Sequence, residues 1–349
     1  MSTTAPAASS GTGGPGGPGA TVGAAGGGRS RRVGRLLLTR AVQLPVVLLV
    51  ISVLTFWLVQ VVPGDPGRNA LGPYATAEQV AQWNTRNGLD GPVAQRYLHW
   101  LGGFLTGDWG TSLRFSGPVR DLVMTRLGNS LALGLYAFAL LVPLALVLGV
   151  VQARRRGQRV DRGLTIGLLT VSAVPEFVTG VLLLLVLAVK WPLFPVQSSP
   201  DAGSGPLEQV RLMTLPAVVL AVAHLAVLAR MVRAGTIEAM AAPFHLTAVL
   251  KGLPPGRVVR SHVLRNALVP TLSVVGTYLG TLLGGAAVVE TLFSYPGLGA
   301  LLVAAADRKD VLLLTSGVVV TGLVSLLALL LTDLVFLLVD PRIRFGGRT

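Results

Sequence analysis

The stretch AVQLPVVLLVISVLTFWLVQVV, residues 41–62, runs for 22 positions without a charged side chain. A hydrocarbon core of about 30 Å needs about 20 apolar residues at a rise of 1.5 Å each. Five more stretches have the same character: Leu131–Val151, Leu164–Val189, Met213–Ala229, Leu268–Leu292 and Val311–Val339. The sequence therefore predicts an all-α integral membrane protein of about six transmembrane helices. Composition agrees, with 52% hydrophobic and 13% charged residues, where soluble domains carry roughly a quarter charged. Prolines 45, 143, 175, 216 and 270 fall inside these stretches, where neighbouring helices in a bundle satisfy the carbonyls they free. Gly276, Gly280, Gly284 and Gly285 permit close helix approach and read as ordinary tight packing.

Outward from the first span, Met1 to about Ser30 is Ala, Gly, Ser, Thr and Pro, which buries too little surface to offset chain entropy and reads as a disordered tail. The apolar stretch that follows is too long for a signal peptide and reads as an uncleaved span. Nineteen of the 29 Lys and Arg residues fall in alternate connections, around 29–40, 154–162, 230–265 and 342–348. The excess of cations on the cytoplasmic side places both termini in the cytoplasm, in keeping with an even number of spans. The chain thus divides into a tail (1–30), a basic flank and first helix (31–62), an extracytoplasmic loop region (63–126), a membrane domain of five helices (127–345) and a short C-terminal tail (346–349). The outer region is too long for a mere connector and holds helix-like pieces at Thr76–Asn87 and Val93–Leu105. Its cytoplasmic counterpart, residues 230–265, is the longest inner loop.

Several functions are excluded. With no cysteine there is no disulfide, thiolate metal site or cysteine nucleophile, and the four histidines lack metal-ligand spacing. There is no phosphate loop, no H-E-x-x-H and no nucleophile elbow. This chain is read as binding no cofactor and performing no covalent chemistry. The net charge of +14 sits at span ends without aromatic interleaving, so nucleic acid is not a partner; membrane lipid is.

In the inner loop, Ala241–Leu250 forms a helix ended by Gly252, and Pro254-Pro255-Gly256 turns the chain into a second basic helix near Arg257. A short helix lying across the cytoplasmic face presents its outer surface to a partner.

The stretch Phe244-His245-Leu246-Thr247-Ala248-Val249-Leu250-Lys251-Gly252-Leu253, followed by His262-Val263-Leu264-Arg265-Asn266-Ala267-Leu268-Val269-Pro270, resembles the EAA loop of ABC importer permeases. More narrowly it is similar to the dipeptide/oligopeptide/nickel branch. Pro63-Gly64-Asp65-Pro66, Gly88-Leu89-Asp90, Gly107-Asp108-Trp109-Gly110-Thr111-Ser112-Leu113, Glu290-Thr291-Leu292-Phe293-Ser294-Tyr295-Pro296-Gly297-Leu298-Gly299 and Asp340-Pro341-Arg342-Ile343-Arg344 fit the same branch, so the resemblance spans about residues 33–345. It implies a permease subunit in the bacterial cytoplasmic membrane, paired with a second, paralogous permease. Two ATPase subunits carrying ATP and Mg would dock beneath, and an extracytoplasmic binding protein would deliver a peptide-like solute or a nickel chelate. Residues Phe244, His245, Leu246, Thr247, Ala248, Lys251, Gly252 and Leu253 would then belong to the coupling helix seated on an ATPase subunit. Leu246 departs from the pattern, which has a glutamate or an arginine six residues before the glycine, so the contact there is expected to be apolar.

Glu176, after Pro175, sits near the middle of the third span, where an ionisable group usually faces a cavity or partner. Two readings stand: it lines the translocation path, or it bonds locally to carbonyls freed by Pro175. Glu290 and Asp333 are expected to snorkel or pair with arginine, Asn129 and Asn266 to cap helix ends, and His224 to donate between helices. The rival function, an ion-driven secondary transporter or channel, favours more intramembrane charges than the single central Glu176.

Overall fold

Why the long apolar stretches become helices is dictated by solvent: in hydrocarbon every backbone amide must be satisfied within the chain. A computed structural model of the protein describes residues 27–61, 65–112, 114–200, 203–258 and 286–339, with single positions at 261, 278 and 280. Helix α1 is Gly27–Val61, and a cap follows with α2 Pro66–Leu71, α3 Ala77–Arg86 and α4 Val93–Thr106. A two-residue hairpin, β1 Thr111–Ser112 against β2 Gly117–Pro118, leads directly into α5 Val119–Arg154. Then come α6 Arg159–Ala173, α7 Glu176–Leu183 with a π-helical continuation Leu184–Lys190, and α8 Pro206–Ala241. The remainder is α9 Pro243–Leu250, α10 Pro255–Val258, α11 Ala287–Leu292, α12 Leu298–Asp307 and α13 Val311–Val339.

Helices α5 and α8 form the centre. They run parallel, since Tyr136 meets Thr214 (3.2 Å) while Gly149, in the later part of α5, lies against Ala229 and Val232 in the later part of α8. A Cβ on Gly149 would stand 2.6 Å from the Val232 side chain, so this glycine sets the distance between the two helices. Leu133, Leu141, Leu215, Leu220 and Leu228 are buried in the cluster these helices share with α11. A second pair, α1 and α13, is antiparallel: Arg40 bonds Asp333 at 2.6 Å near one end, and Phe56 packs with Val311 and Val319 near the other. The cap is tied to this pair by Phe56, Tyr97 and Trp100, with Trp100 donating to Ser316 Oγ at 3.1 Å.

Within the cap, Asp65 explains the Pro-Gly-Asp-Pro motif. Its carboxylate caps α2 by accepting from the Gly67 and Arg68 N–H groups and holds α3 through the Asn84 side chain at 3.0 Å. The Asn84 hydrogen bond, helped by those backbone donors, keeps the Asp65 carboxyl below its ordinary range. What this tie adds to folding is therefore present above the ordinary aspartate value and is lost as pH falls through the lowered one.

Among the described residues four helices are long and apolar enough to cross a membrane: α1, α5, α8 and α13. The expected third span is a bent pair, α6 and α7, with a 99° angle at Val174-Pro175. Pro175 has no N–H and pushes Val174 to an extended conformation, which ends α6. Of the expected fifth span only 278, 280 and 286–292 lie among the described residues; Gly276, Gly284, Gly285, Asn266 and Pro270 do not. Helix α5 begins at Val119, within the residues read as the 63–126 region, and α8 continues to Ala241, so Arg230 and Arg233 are helical. Residues 1–26 and 340–349, which hold most of the predicted tail and the Asp340–Arg344 motif, lie outside the described residues, and α1 begins at Gly27.

The Glu290–Gly299 motif is a helix elbow clamped to α5. Gly297 is the N-cap of α12 but has no side chain to cap with. Glu290 supplies the missing acceptor, taking the Ala300 N–H at 3.0 Å and the Gly299 N–H, while Ser130 donates to it at 2.5 Å and accepts from the Leu298 N–H at 2.8 Å. Glu290 is 1% exposed and makes no ion pair among the described residues, so it neither snorkels nor pairs with arginine as expected. Asp333 does pair, with Arg40. A Cβ at position 297 would overlap the Glu290 carboxylate, although the extended backbone there admits any residue. Gly297→Ala should lower stability by roughly 1–3 kcal/mol, read as thermal unfolding in detergent. Measured in a Glu290→Ala background the same change should cost much less, because the clashing group is gone; equal costs in both backgrounds would refute the clash.

Candidate functional site

The arginine-rich end of the bundle carries a short helix built by three local rules. Pro243 excludes the helical conformation at Ala242 (φ −76°, ψ 149°), so α8 stops and α9 restarts with proline at its first position. Gly252 ends α9 in the left-handed region (φ +72°), with its N–H on the Val249 carbonyl (2.9 Å) and the Leu253 N–H on that of Ala248 (3.4 Å). This is the Schellman closure, with Leu253 folded back beside Ala248. Pro254-Pro255 then forces a turn, and α10 begins at Pro255 with Arg257 and Val258 N–H groups on the Pro254 carbonyl. The predicted helix and its ending are present as read; only its start moves, from Ala241 to Pro243.

The two faces of α9 have different partners. Ala248 is buried and Phe244 half-buried in a small cluster with Ala239 and Met240 of α8, Val258 of α10 and Leu253. Opposite them, Leu246, Val249 and Leu250 are 61%, 51% and 78% exposed, at spacings of three and four that place them on one stripe. Thr247 is exposed and its hydroxyl turns back to the Pro243 carbonyl; Lys251 is the exposed C-cap, and His245 is half-buried with its N–H on the Ala242 carbonyl. The site thus presents an apolar outward stripe, in line with Leu246 standing where charge was expected.

What holds this end is a pair that the sequence reading missed. Arg233 on α8 makes a two-pronged contact with Asp161 on α6, Nε to Oδ1 and Nη2 to Oδ2, both 2.8 Å, and the Gly157 N–H adds a third bond at 2.9 Å. The Asp161 side chain is 5% exposed. Such bidentate pairs fix geometry as well as charge. One signal was available: Asp161 is the lone acid among Arg154, Arg155, Arg156, Arg159 and Arg162.

Other predicted residues lie elsewhere. Pro175 is exposed at the break and Glu176 is half-buried as the first residue of α7, an end where a carboxylate is favoured by the helix dipole. Neither is brought to α9, and Glu176 is not mid-helix. Among the described residues no hydrogen bond reaches its carboxylate. His224 bonds the Leu220 carbonyl of its own helix (3.0 Å) and meets Tyr278 edge-on, and among the described residues it makes no hydrogen bond to another helix. Asn129 is no end cap either: inside α5, it donates to the Pro296 carbonyl at 2.7 Å. His262 and the rest of the second motif half lie outside the described residues. No group of three metal-binding side chains exists among the described residues.

Comparison with known proteins now adds to this geometry. Residues 145–345 match the family model of the binding-protein-dependent transport system inner membrane component, and residues 33–133 match that of its N-terminal region. The chain is 33% identical over 302 residues to the oligopeptide transport system permease protein AppB of Bacillus subtilis (strain 168), covering 86% of this chain and 96% of that one. It is 35% identical over 323 residues to the dipeptide transport system permease protein DppB of Escherichia coli (strain K12), covering 84% and 94%. The probable peptide ABC transporter permease protein y4tP of Sinorhizobium fredii is 33% identical over 313 residues, covering 90% and 100%.

The local geometry makes a graded prediction at Gly252. A Cβ there meets open space, so Gly252→Ala should cost only the left-handed strain, about 1 kcal/mol. Gly252→Pro, which neither reaches this φ nor donates to Val249, should unlatch the end of α9. Protease sensitivity of the 244–258 segment in the folded protein checks both; equal protection in the two variants would refute the assigned closure.

Proposed function

Because the chain belongs to the family of binding-protein-dependent transport system inner membrane components, and is thus the permease subunit of an ATP-driven importer, we propose that α9 is its coupling helix. The observation that carries this reading is the division of α9 into an anchored inner face and an exposed apolar stripe of Leu246, Val249 and Leu250. An exposed stripe of this kind at the end of a membrane bundle suits a protein partner. Covering those three side chains contributes on the order of 3–5 kcal/mol. Reversing a 1:99 population needs about 5.5 kcal/mol. The apolar contact is therefore of the right size to couple a conformational change, which surface ion pairs at about 0–1 kcal/mol are not.

In this reading an ATPase subunit receives α9, with ATP and Mg bound there and not by this chain. Closure of two ATPase subunits moves α9 together with α8, and the Arg233–Asp161 pair carries α6 along. A second permease, a paralogue of this one, completes the path, and an extracytoplasmic binding protein loads it. Both termini face the cytoplasm, in keeping with the arginine distribution. The solute is a di- or oligopeptide, as the names of the relatives suggest. The break at Pro175 supports a place on the path for Glu176, since irregular backbone at membrane depth is tolerated only where it is covered by protein or lines water.

Two measurements test this. Co-expressed with its ATPase partners, the chain should retain them on purification, and replacing 244–253 by a Gly/Ser linker should release them. Leu250→Asp should cut uptake by at least about tenfold, the equivalent of 1.4 kcal/mol, while the chain stays folded. Undiminished uptake with a charged stripe would sink the coupling assignment. For the path, Glu176→Gln should change uptake of cationic relative to neutral peptides; a variant with identical ratios removes Glu176 from the path.

A further inference from the structure

Of the four long helices α8 is the most enclosed, yet one of its faces opens, and the opening begins at a histidine. Along the second half of α8, His224, Val227, Met231, Ala234 and Glu238 follow one another at spacings of three and four. His224 and Met231 are half-buried and the other three are exposed. On the other faces Leu225, Leu228 and Val232 are buried, with α5 held close at Gly149 and α6 tied on at Arg233. One turn before His224 the strip closes, with Leu220 only 2% exposed. His224 stands within about 5 Å of the middle of the apolar stretch Met213–Ala229, and the strip runs from there for about 21 Å to the arginine-rich end.

Lipid does not suit this strip. The exposed face of α1 is apolar, with Val42, Val46, Leu49 and Trp57, whereas that of α8 carries His224 and Glu238 and is edged by the exposed Arg230. Ionisable side chains at membrane depth turn to a cavity or a partner rather than to hydrocarbon. The imidazole is also aimed. Its Nδ1 lies 3.0 Å from the Leu220 carbonyl, which can only accept, so Nδ1 carries the proton and Nε2 of the neutral ring is an acceptor. Tyr278 meets the ring edge-on at 4.7 Å and holds its plane. Nε2 itself has no partner among the described residues. An acceptor fixed in place and left unused at membrane depth is costly unless a donor reaches it. A peptide crossing the bilayer has the matching need, because its N–H groups lose their water there.

We propose that the open strip of α8 lines the inner half of the solute path, and that His224 Nε2 accepts a hydrogen bond from a backbone N–H of a peptide-like solute near mid-membrane. The inference rests on the peptide-importer reading above and adds to it a residue that the solute touches. Because every peptide carries backbone N–H groups, such a contact holds the solute without reading its side chains.

The chain has no cysteine, so His224→Cys gives it a single thiol. In the complete transporter, held in lipid nanodiscs with its ATPase and permease partners, a charged, water-soluble methanethiosulfonate should label that thiol and the one in Val227→Cys, but not the one in Leu225→Cys; the mass of this chain reads the label. Saturating trialanine should slow labelling at 224 at least about tenfold. In proteoliposomes supplied with the binding protein, His224→Phe should lower the rate of trialanine uptake about tenfold, whereas His224→Gln, which keeps an acceptor, should stay within about threefold of the wild type. The thiol readout stands even where His224→Phe folds poorly. A thiol at 224 that labels in the isolated chain but not in the complex assigns the strip to contact with the second permease and overturns the proposal. Labelling that trialanine does not slow, or equal losses in His224→Phe and His224→Gln, overturns it as well. A wild-type transporter that takes up no trialanine defeats the peptide reading and this site with it, while uptake with an unprotected thiol defeats this site alone.

Discussion

Hydrocarbon offers a peptide group no hydrogen bond, and most of this structure follows from that constraint. Four long helices satisfy it trivially along their length. What distinguishes the protein is how it treats the places where a helix must begin, bend or stop. Glu290 reaches across an elbow to cap α12, and Asp310 caps α13 while accepting from Ser112. Gly252 and Lys309 close α9 and α12 by the same pair of backbone bonds. At Pro175, by contrast, the carbonyls of Ser172, Ala173 and Val174 accept no backbone hydrogen bond among the described residues. Among the described residues this unsealed interruption lies beside Glu176, the first residue of α7.

The same logic explains which parts were legible in the sequence. Val311–Val339 was readable to the residue because a long uninterrupted apolar run has one solution. The cap helix α3 and the end of α9 were readable because Thr76 and Gly252 act within a turn of themselves. The bend at Pro175 was not, since Pro45, Pro143 and Pro216 look alike locally and are absorbed within continuous helices. Whether a proline bends its helix depends on neighbours: Gly180 lets α7 press on Leu292 and Phe293, contacts far along the chain.

Side-chain duties were less legible than elements. Glu290 was read as a surface-seeking acid because its donors lie past a turn, on Gly299 and Ala300, and on Ser130 in another helix. Asn129 was read as an end cap because α5 was expected to start near it, whereas α5 begins ten residues earlier at Val119. The coupling-helix residues were named together from local pattern and resemblance, but only packing separates Phe244, Ala248 and Leu253, which face inward, from Leu246, Val249 and Leu250, which do not.

The length of α8 has a mechanical meaning. At 36 residues it extends for about 54 Å, nearly twice the hydrocarbon thickness of about 30 Å. A rod of that length pivoting at its middle sweeps its tip through about 5 Å for a tilt of ten degrees, close to one helical turn. Because α9 hangs from that tip, and Gly149 fixes the spacing to α5 between tip and middle, such a tilt would displace α9 by about one helical turn. In the coupling reading proposed above, α8 is a lever arm whose gain is set by its length.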